Sequence, residues 1–197
     1  MSSSVPQIIL ASKSPRRKQL LEQLGWSVIC QAVDVDETPI DNEKPVNYCK
    51  RITLAKAQAA QTVIQSELPI LTADTTVVLQ QKILGKPSDE LAAFNMLKSL
   101  SGVSHQVITV VAISYQGETL SVVNQNKVKF AKINEAEIKA YIATGEPMDK
   151  AGSYGIQGFA AMWIEKIEGS YSGIMGLPLY ETTQLFKKVD IITPLDV

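Results

Sequence analysis

The run Ile8-Ile9-Leu10-Ala11-Ser12-Lys13-Ser14-Pro15-Arg16-Arg17 compresses a strand, a tight turn and a helix start into a few residues. It commits the start of the chain to a strand–turn–helix unit. Pro15 stands where a first helical residue belongs, and Ser14 before it is a good N-cap, its hydroxyl able to accept a bond from an early helical N–H. Leu20, Leu21 and Leu24 follow as an apolar stripe at helical spacing, and Gly25 is the expected residue just past the helix end. Lys13, Arg16 and Arg17 crowd cations at the positive end of that helix, where its dipole opposes them. Helix stability does not ask for them there. A bound polyanion such as a nucleoside triphosphate would explain them.

The rest of the chain bounds where such charge can act. Its 197 residues suffice for one large domain or one domain with two lobes. Twenty acids nearly balance nineteen lysines and arginines, so no global field favours nucleic acid or an acidic membrane. Any positive site is therefore local. No apolar run approaches the roughly 20 residues of a membrane helix, and Met1–Gln7 has no positive n-region of a secretory signal. Cys30 and Cys49 fall in apolar-patterned segments without metal-ligand spacing. Two free, buried thiols and a cytoplasmic location are expected.

Strands and helices alternate in the first half. Strands are expected at 7–11, 26–33 and 69–79, with helices from Pro15 to Leu24 and from Pro45 to about Ser66. Gly85-Lys86-Pro87-Ser88 reads as a turn in which Ser88 caps the next helix, ended by Gly102. His105–Tyr115 and Thr119–Phe130 form a long hairpin around Gly117-Glu118. Asn134 and Glu137 make a capping box. A Gly-rich loop at 149–158, a strand at 161–167 and a helix from Leu179 to about Lys188 complete the chain. The pattern predicts an α/β fold with a mixed, twisted sheet flanked by helices.

Four groups of residues carry chemistry, each with a purely structural alternative. Ser12–Arg17 is either a phosphate cradle or a helix start with surface cations. Asp74 lies in an otherwise strand-like apolar run, where a carboxylate costs desolvation unless paired. It can take a proton from an attacking water or hold a divalent cation, or it is bonded to neighbouring backbone. Glu37, Lys56, Lys86, Asp149 and Lys150 matter only if they converge in space. In Asp149–Gly158, glycines let backbone approach a ligand, and the amide of Gln157 suits the edge of a base. His105, the single histidine, has no nucleophile motif nearby and reads as structural. GxxxxGK[ST] and GxGxxG are both absent.

Taken together, Leu10–Arg17, Asp36-Glu37, Ala73-Asp74-Thr75, Gly85-Lys86-Pro87, Asp149–Gly158 and Gly176–Leu179 resemble the Maf family of nucleoside triphosphate pyrophosphatases over about 8–188. The resemblance implies an elongated, two-lobed Maf/ITPase-like architecture with a central cleft, and pairing into a homodimer. It implies hydrolysis between the α- and β-phosphates with Mg²⁺ or Mn²⁺. Asp74 would be the general base, with Glu37 an essential acid that helps place the metal and Lys86 beside them. Ser12, Lys13, Ser14, Arg16, Lys56 and Lys150 would hold the triphosphate. Arg17, Thr75 and Gln157 match the subgroup that prefers dTTP and UTP.

Two other readings keep parts of this picture. The same fold could act on 7-methyl-GTP or another modified nucleotide, although the tryptophan and the Lys-Ser-Glu-Gly run typical of that subgroup are missing. A nucleotide-binding regulator of cell division would need binding without turnover. Asp74 and Glu37 speak against it, because a pure binder gains little from acids beside a polyphosphate.

Overall fold

The computed structural model describes residues 7–191 together with 193 and 195. The stretch Met1–Pro6, part of the segment read as lacking a secretory signal, lies outside the described residues. β1 (Gln7–Leu10) sits between β2 (Ser27–Cys30) and β3 (Ile70–Leu79) and runs parallel to both. β5 (Ser104–Tyr115), β6 (Glu118–Phe130) and β7 (Ile164–Glu168) extend the sheet antiparallel, giving the order β2-β1-β3-β5-β6-β7. The mixed sheet expected from the sequence is formed.

A short strand, β4 (Lys82–Leu84), folds back onto β3 and splits one edge of it. On that edge β1 pairs with Ile70 and Leu71, while β4 pairs with Val77, Val78 and Leu79. Residues 72–76 between them pair only with β5, on the other edge. The sheet therefore forks around Asp74. This gap is where side chains from both faces of the sheet become reachable together.

Among the described residues, six α-helices cover the two faces unequally. α2 (Pro45–Val63) packs alone on one face, where Tyr48, Cys49 and Ile52 meet Val78, Ile108 and Val110. Its C-terminal part covers Ile9, Ala11 and Ile70 with Ala60 and Ile64. The opposite face carries the larger core, in which α1 (Pro15–Gln23), α3 (Glu90–Leu100), α4 (Glu135–Ala143), α5 (Tyr171–Met175) and α6 (Leu179–Lys188) contribute Leu21, Leu97, Ile138, Met175 and Phe186. Because side chains alternate along a strand, Asp74 turns toward α2 and Thr75 toward α1.

Several local expectations shift by a residue or more. Asp89, not Ser88, caps α3, accepting from the Ala92 amide at 2.7 Å; its carboxylate is the stronger acceptor and Ser88 donates to it. The hairpin turn is Gln116-Gly117, both with positive φ, and Tyr115 pairs with Glu118. Ser14 holds the N-cap position of α1 but its hydroxyl makes no cap bond; its amide donates to Ser12 Oγ instead. The last strand starts at Ile164, since 159–163 form a 3₁₀ turn. The capping box of Asn134 and Glu137 forms as expected.

The thiols divide. Cys49 is buried under α2, but Cys30 is exposed, because β2 ends the sheet and its last residue has no helix over it. Burial, and then the charge of Asp74, push the Cys49 thiol up to about 12, which leaves it unreactive at neutral pH. Native protein should thus titrate one thiol with an aromatic disulfide reagent, and denatured protein two. Rapid reaction of both in the native state would contradict the packing of α2 on β3.

Candidate active site

The fork opens into a cleft of about 400 Å³. Its rim and floor come from the turn after β1 (Ser12–Arg17), the middle of β3 (Ala73–Val77), the end of β4 (Ile83–Lys86), the 34–37 loop and the 149–156 segment. Five of the six stretches that carried the resemblance meet there, and Gly176 of the sixth lies on the wall.

Lys56 organises the acidic side. It reaches from α2 between two carboxylates, with Nζ 2.8 Å from Asp74 Oδ1 and 2.6 Å from Glu37 Oε1. Asp74 is nearly buried and Glu37 about half exposed, with side-chain exposures of 12% and 45%. The second oxygen of Asp74 has only long contacts, to Thr76 Oγ1 at 3.4 Å and Cys49 Sγ at 3.8 Å. The loop bearing Glu37 is tied to α2 by Tyr48, whose hydroxyl donates to the Glu37 carbonyl at 2.9 Å. Burial pushes that phenol up to about 12, so it stays a donor.

The opposite wall is built on Arg17. Its Nε donates to the Gly176 carbonyl at 2.8 Å, Nη1 to Ser12 Oγ at 3.0 Å and Nη2 to Thr75 Oγ1 at 3.1 Å. Desolvation lowers the pKa of its guanidinium from the ordinary value, and the Asp74 carboxylate opposes that shift. Arg17 is therefore bound into the wall by neutral acceptors, and no carboxylate among the described residues pairs with it, so its charge remains beside that of Lys13 and Arg16 in the cleft.

The remaining cations differ in how committed they are. Lys13 pairs with Asp34 at 2.8 Å on the exposed rim, a pair worth little in stability. Lys150 donates to the Glu146 carbonyl and to Asp149, both at 2.7 Å. Arg16 and Lys86 line the cleft and make no salt bridge among the described residues. Gly152 allows the 149–156 segment to sit against β3: its amide donates to the Gly85 carbonyl, and a Cβ there would lie 2.8 Å from Val77 Cγ1.

Not every expected residue arrives. Gln157 is exposed on the turn beyond Ile156 and is not among the residues lining the cleft. Sequence reasoning also passed over Asp34, the partner of Lys13, and Thr109, the partner of Thr75. A lone hydroxyl inside the apolar run of β5 was the available signal for Thr109.

His105 is structural, as expected. It is buried, and its Nε2 meets the Tyr154 hydroxyl at 2.6 Å. Desolvation brings its pKa down to about 4. The unfolded chain takes up that proton near pH 6.5, so it binds more protons than the folded state between pH 6.5 and 4. Stability should be complete above pH 6.5 and fall by about 3 kcal/mol on acidification to pH 4. Urea midpoints compared with His105→Gln read this directly. An unchanged pH slope in the variant would exclude His105 as its source.

The Maf-like protein family model matches residues 7–189. A nucleoside triphosphate pyrophosphatase of Haemophilus ducreyi is 49% identical, covering 94% of this chain and 96% of the relative. A dTTP/UTP pyrophosphatase of Pasteurella multocida is 47% identical over 92% of this chain and 94% of its own. One from Nitrosomonas europaea is also 47% identical, over 93% and 95%. On a match spanning all but the ends of the sequence, this chain belongs to the Maf family.

Proposed function

We propose that this protein hydrolyses the α–β phosphoanhydride of dTTP and UTP, releasing the nucleoside monophosphate and pyrophosphate. The observation that carries the reading is the pairing of Asp74 and Glu37 across Lys56, in a cleft lined by Lys13, Arg16, Arg17, Lys86 and Lys150. The names of the relatives agree with it. A triphosphate brings about four negative charges, and its cleavage asks for positioning and charge neutralisation more than covalent chemistry.

Asp74 has the attributes of a general base. One oxygen is held by Lys56, and the other has only weak contacts and can accept the proton of an attacking water. Arg16 and Lys86, without a salt bridge among the described residues, hold the phosphates, with Ser12, Ser14, Lys13 and Lys150 around them. Lys56 neutralises charge between the two acids and reaches toward the bound phosphates.

The acids also fit a divalent ion. Among the described residues there is no cluster of three or more metal-type side chains, which argues against a closed protein cage. Two carboxylates on one wall suit Mg²⁺ or Mn²⁺, hard ions that complete their shell from water and substrate phosphates. Asp74 and Glu37 would hold the ion, which when bound adds charge neutralisation at the phosphates.

Nothing in the charge balance or in the described helices calls for nucleic acid or a membrane: no helix is long and apolar enough to cross one. The partner is the small nucleotide. Turnover with Mg²⁺ against dTTP, UTP, CTP, GTP, ITP and 7-methyl-GTP, scoring pyrophosphate and phosphate separately, tests the reading. Pyrophosphate released mainly from dTTP and UTP is expected. Release mainly from 7-methyl-GTP would keep the reaction and overturn the substrate assignment, and binding without release would favour a regulator.

A further inference from the structure

Thr109 lies wholly buried on β5, directly opposite Thr75 of β3, and both hydroxyls turn toward α1. Its Oγ1 is 2.8 Å from the Gly173 carbonyl and 2.9 Å from Thr75 Oγ1. A carbonyl can only accept, so the single proton of Thr109 goes to Gly173. The proton shared by the two threonines must then come from Thr75. Upstream, Arg17 Nη2 donates to Thr75 Oγ1 at 3.1 Å. The chain of bonds thus has one direction, from Arg17 through Thr75 and Thr109 to Gly173.

We infer that Thr109 is a positioning residue that fixes the hydroxyl of Thr75 as an acceptor toward the cleft, so that the site selects a pyrimidine whose ring nitrogen N3 carries a proton. Thr75 has no proton left to offer a ligand and keeps one lone pair. Arg17 has used three of its five N–H donors on the protein. Together they offer an acceptor beside donors. Uracil and thymine present an N3–H flanked by carbonyl oxygens, the complement of that pattern. Cytosine presents a bare N3 beside an amino group, which would leave a lone pair facing a lone pair. Sites that hydrogen-bond a substrate N–H discriminate strongly against analogues without it, because the wrong ligand leaves buried polar groups unpaired.

The inference rests on the pyrophosphatase reading, and its test separates the two. The quantity measured is the ratio of UTP to CTP, as kcat/KM and as dissociation constants of the non-hydrolysable α,β-imido analogues. Wild-type protein should favour the uridine nucleotide by both. Thr109→Val, close in shape, frees the Thr75 proton and should lower the ratio about tenfold or more, while Thr109→Ser restores it. Thr109→Cys, with a weaker donor and acceptor, should fall between and serves if the valine variant does not fold. Equal weakening toward both nucleotides would make Thr109 merely structural and overturn the inference, as would a wild-type protein without preference. Preference in analogue binding that is lost in Thr109→Val, with no pyrophosphate released by any form, would keep the inference and overturn the enzymatic reading.

Discussion

Asp74→Asn is expected to lower kcat for UTP by about 10²–10⁴-fold, the largest loss any single isosteric change in the cleft should cause. Asparagine keeps the shape and an oxygen for Lys56, which sits 2.8 Å from Asp74 Oδ1. It cannot take a proton from water at neutral pH. Binding of the α,β-imido analogue should change far less than turnover, since the proposed phosphate contacts come from Ser12, Lys13, Ser14, Arg16, Lys86 and Lys150. Pyrophosphate release under single-turnover conditions, together with a binding titration, separates these effects. A loss below tenfold would remove Asp74 from the role of base.

The second large effect concerns the cation between the acids. Lys56→Met removes the only ammonium contacting both Asp74 and Glu37 among the described residues. Glu37 can turn toward solvent, but Asp74 is only 9% exposed and would keep an uncompensated charge. Breaking a buried pair in this way costs about 3 kcal/mol, the low end for such pairs because one partner is half exposed. Activity should fall about 10²–10³-fold as well, the scale for losing one preorganised charge at a developing oxyanion. Denaturation midpoints and kcat/KM measured on the same preparation check both numbers. An unchanged midpoint would show that the triad does not bear on the fold.

Much of the fold was legible because local chemistry and global packing agree in it. Ser14-Pro15 and Gly25 bracket α1, and Asn134 with Glu137 opens α4, since caps and apolar spacing act within a few residues. β4 escaped because its turn is Gln80-Gln81, both at positive φ, where glycine or asparagine is the usual signal. α5 escaped because its five residues are too few to show a period. In the site, Asp74 stood out as an acid in an apolar strand. Lys56 entered only as one of several charges that matter if they converge and through the resemblance, since a lysine on an Ala-rich helix looks solvated until the sheet places two acids beside it. Gln157 shows the converse: the side chain has suitable chemistry, but the turn leaves it exposed and outside the lining of the cleft.

The fork around Asp74 has a consequence for how the cleft works as a machine. β1, which leads into the Ser12–Arg17 turn, and β4, which leads into Lys86, both branch from one edge of β3, whose central residues are bonded along their other edge to β5. A change of position in either branch can therefore leave Asp74 where it is, because residues 72–76 are held by β5. The sheet is the fixed part of the cleft, and the turns are the parts that can vary. The turns can therefore change in sequence while the place of Asp74 remains set by the strand that joins them.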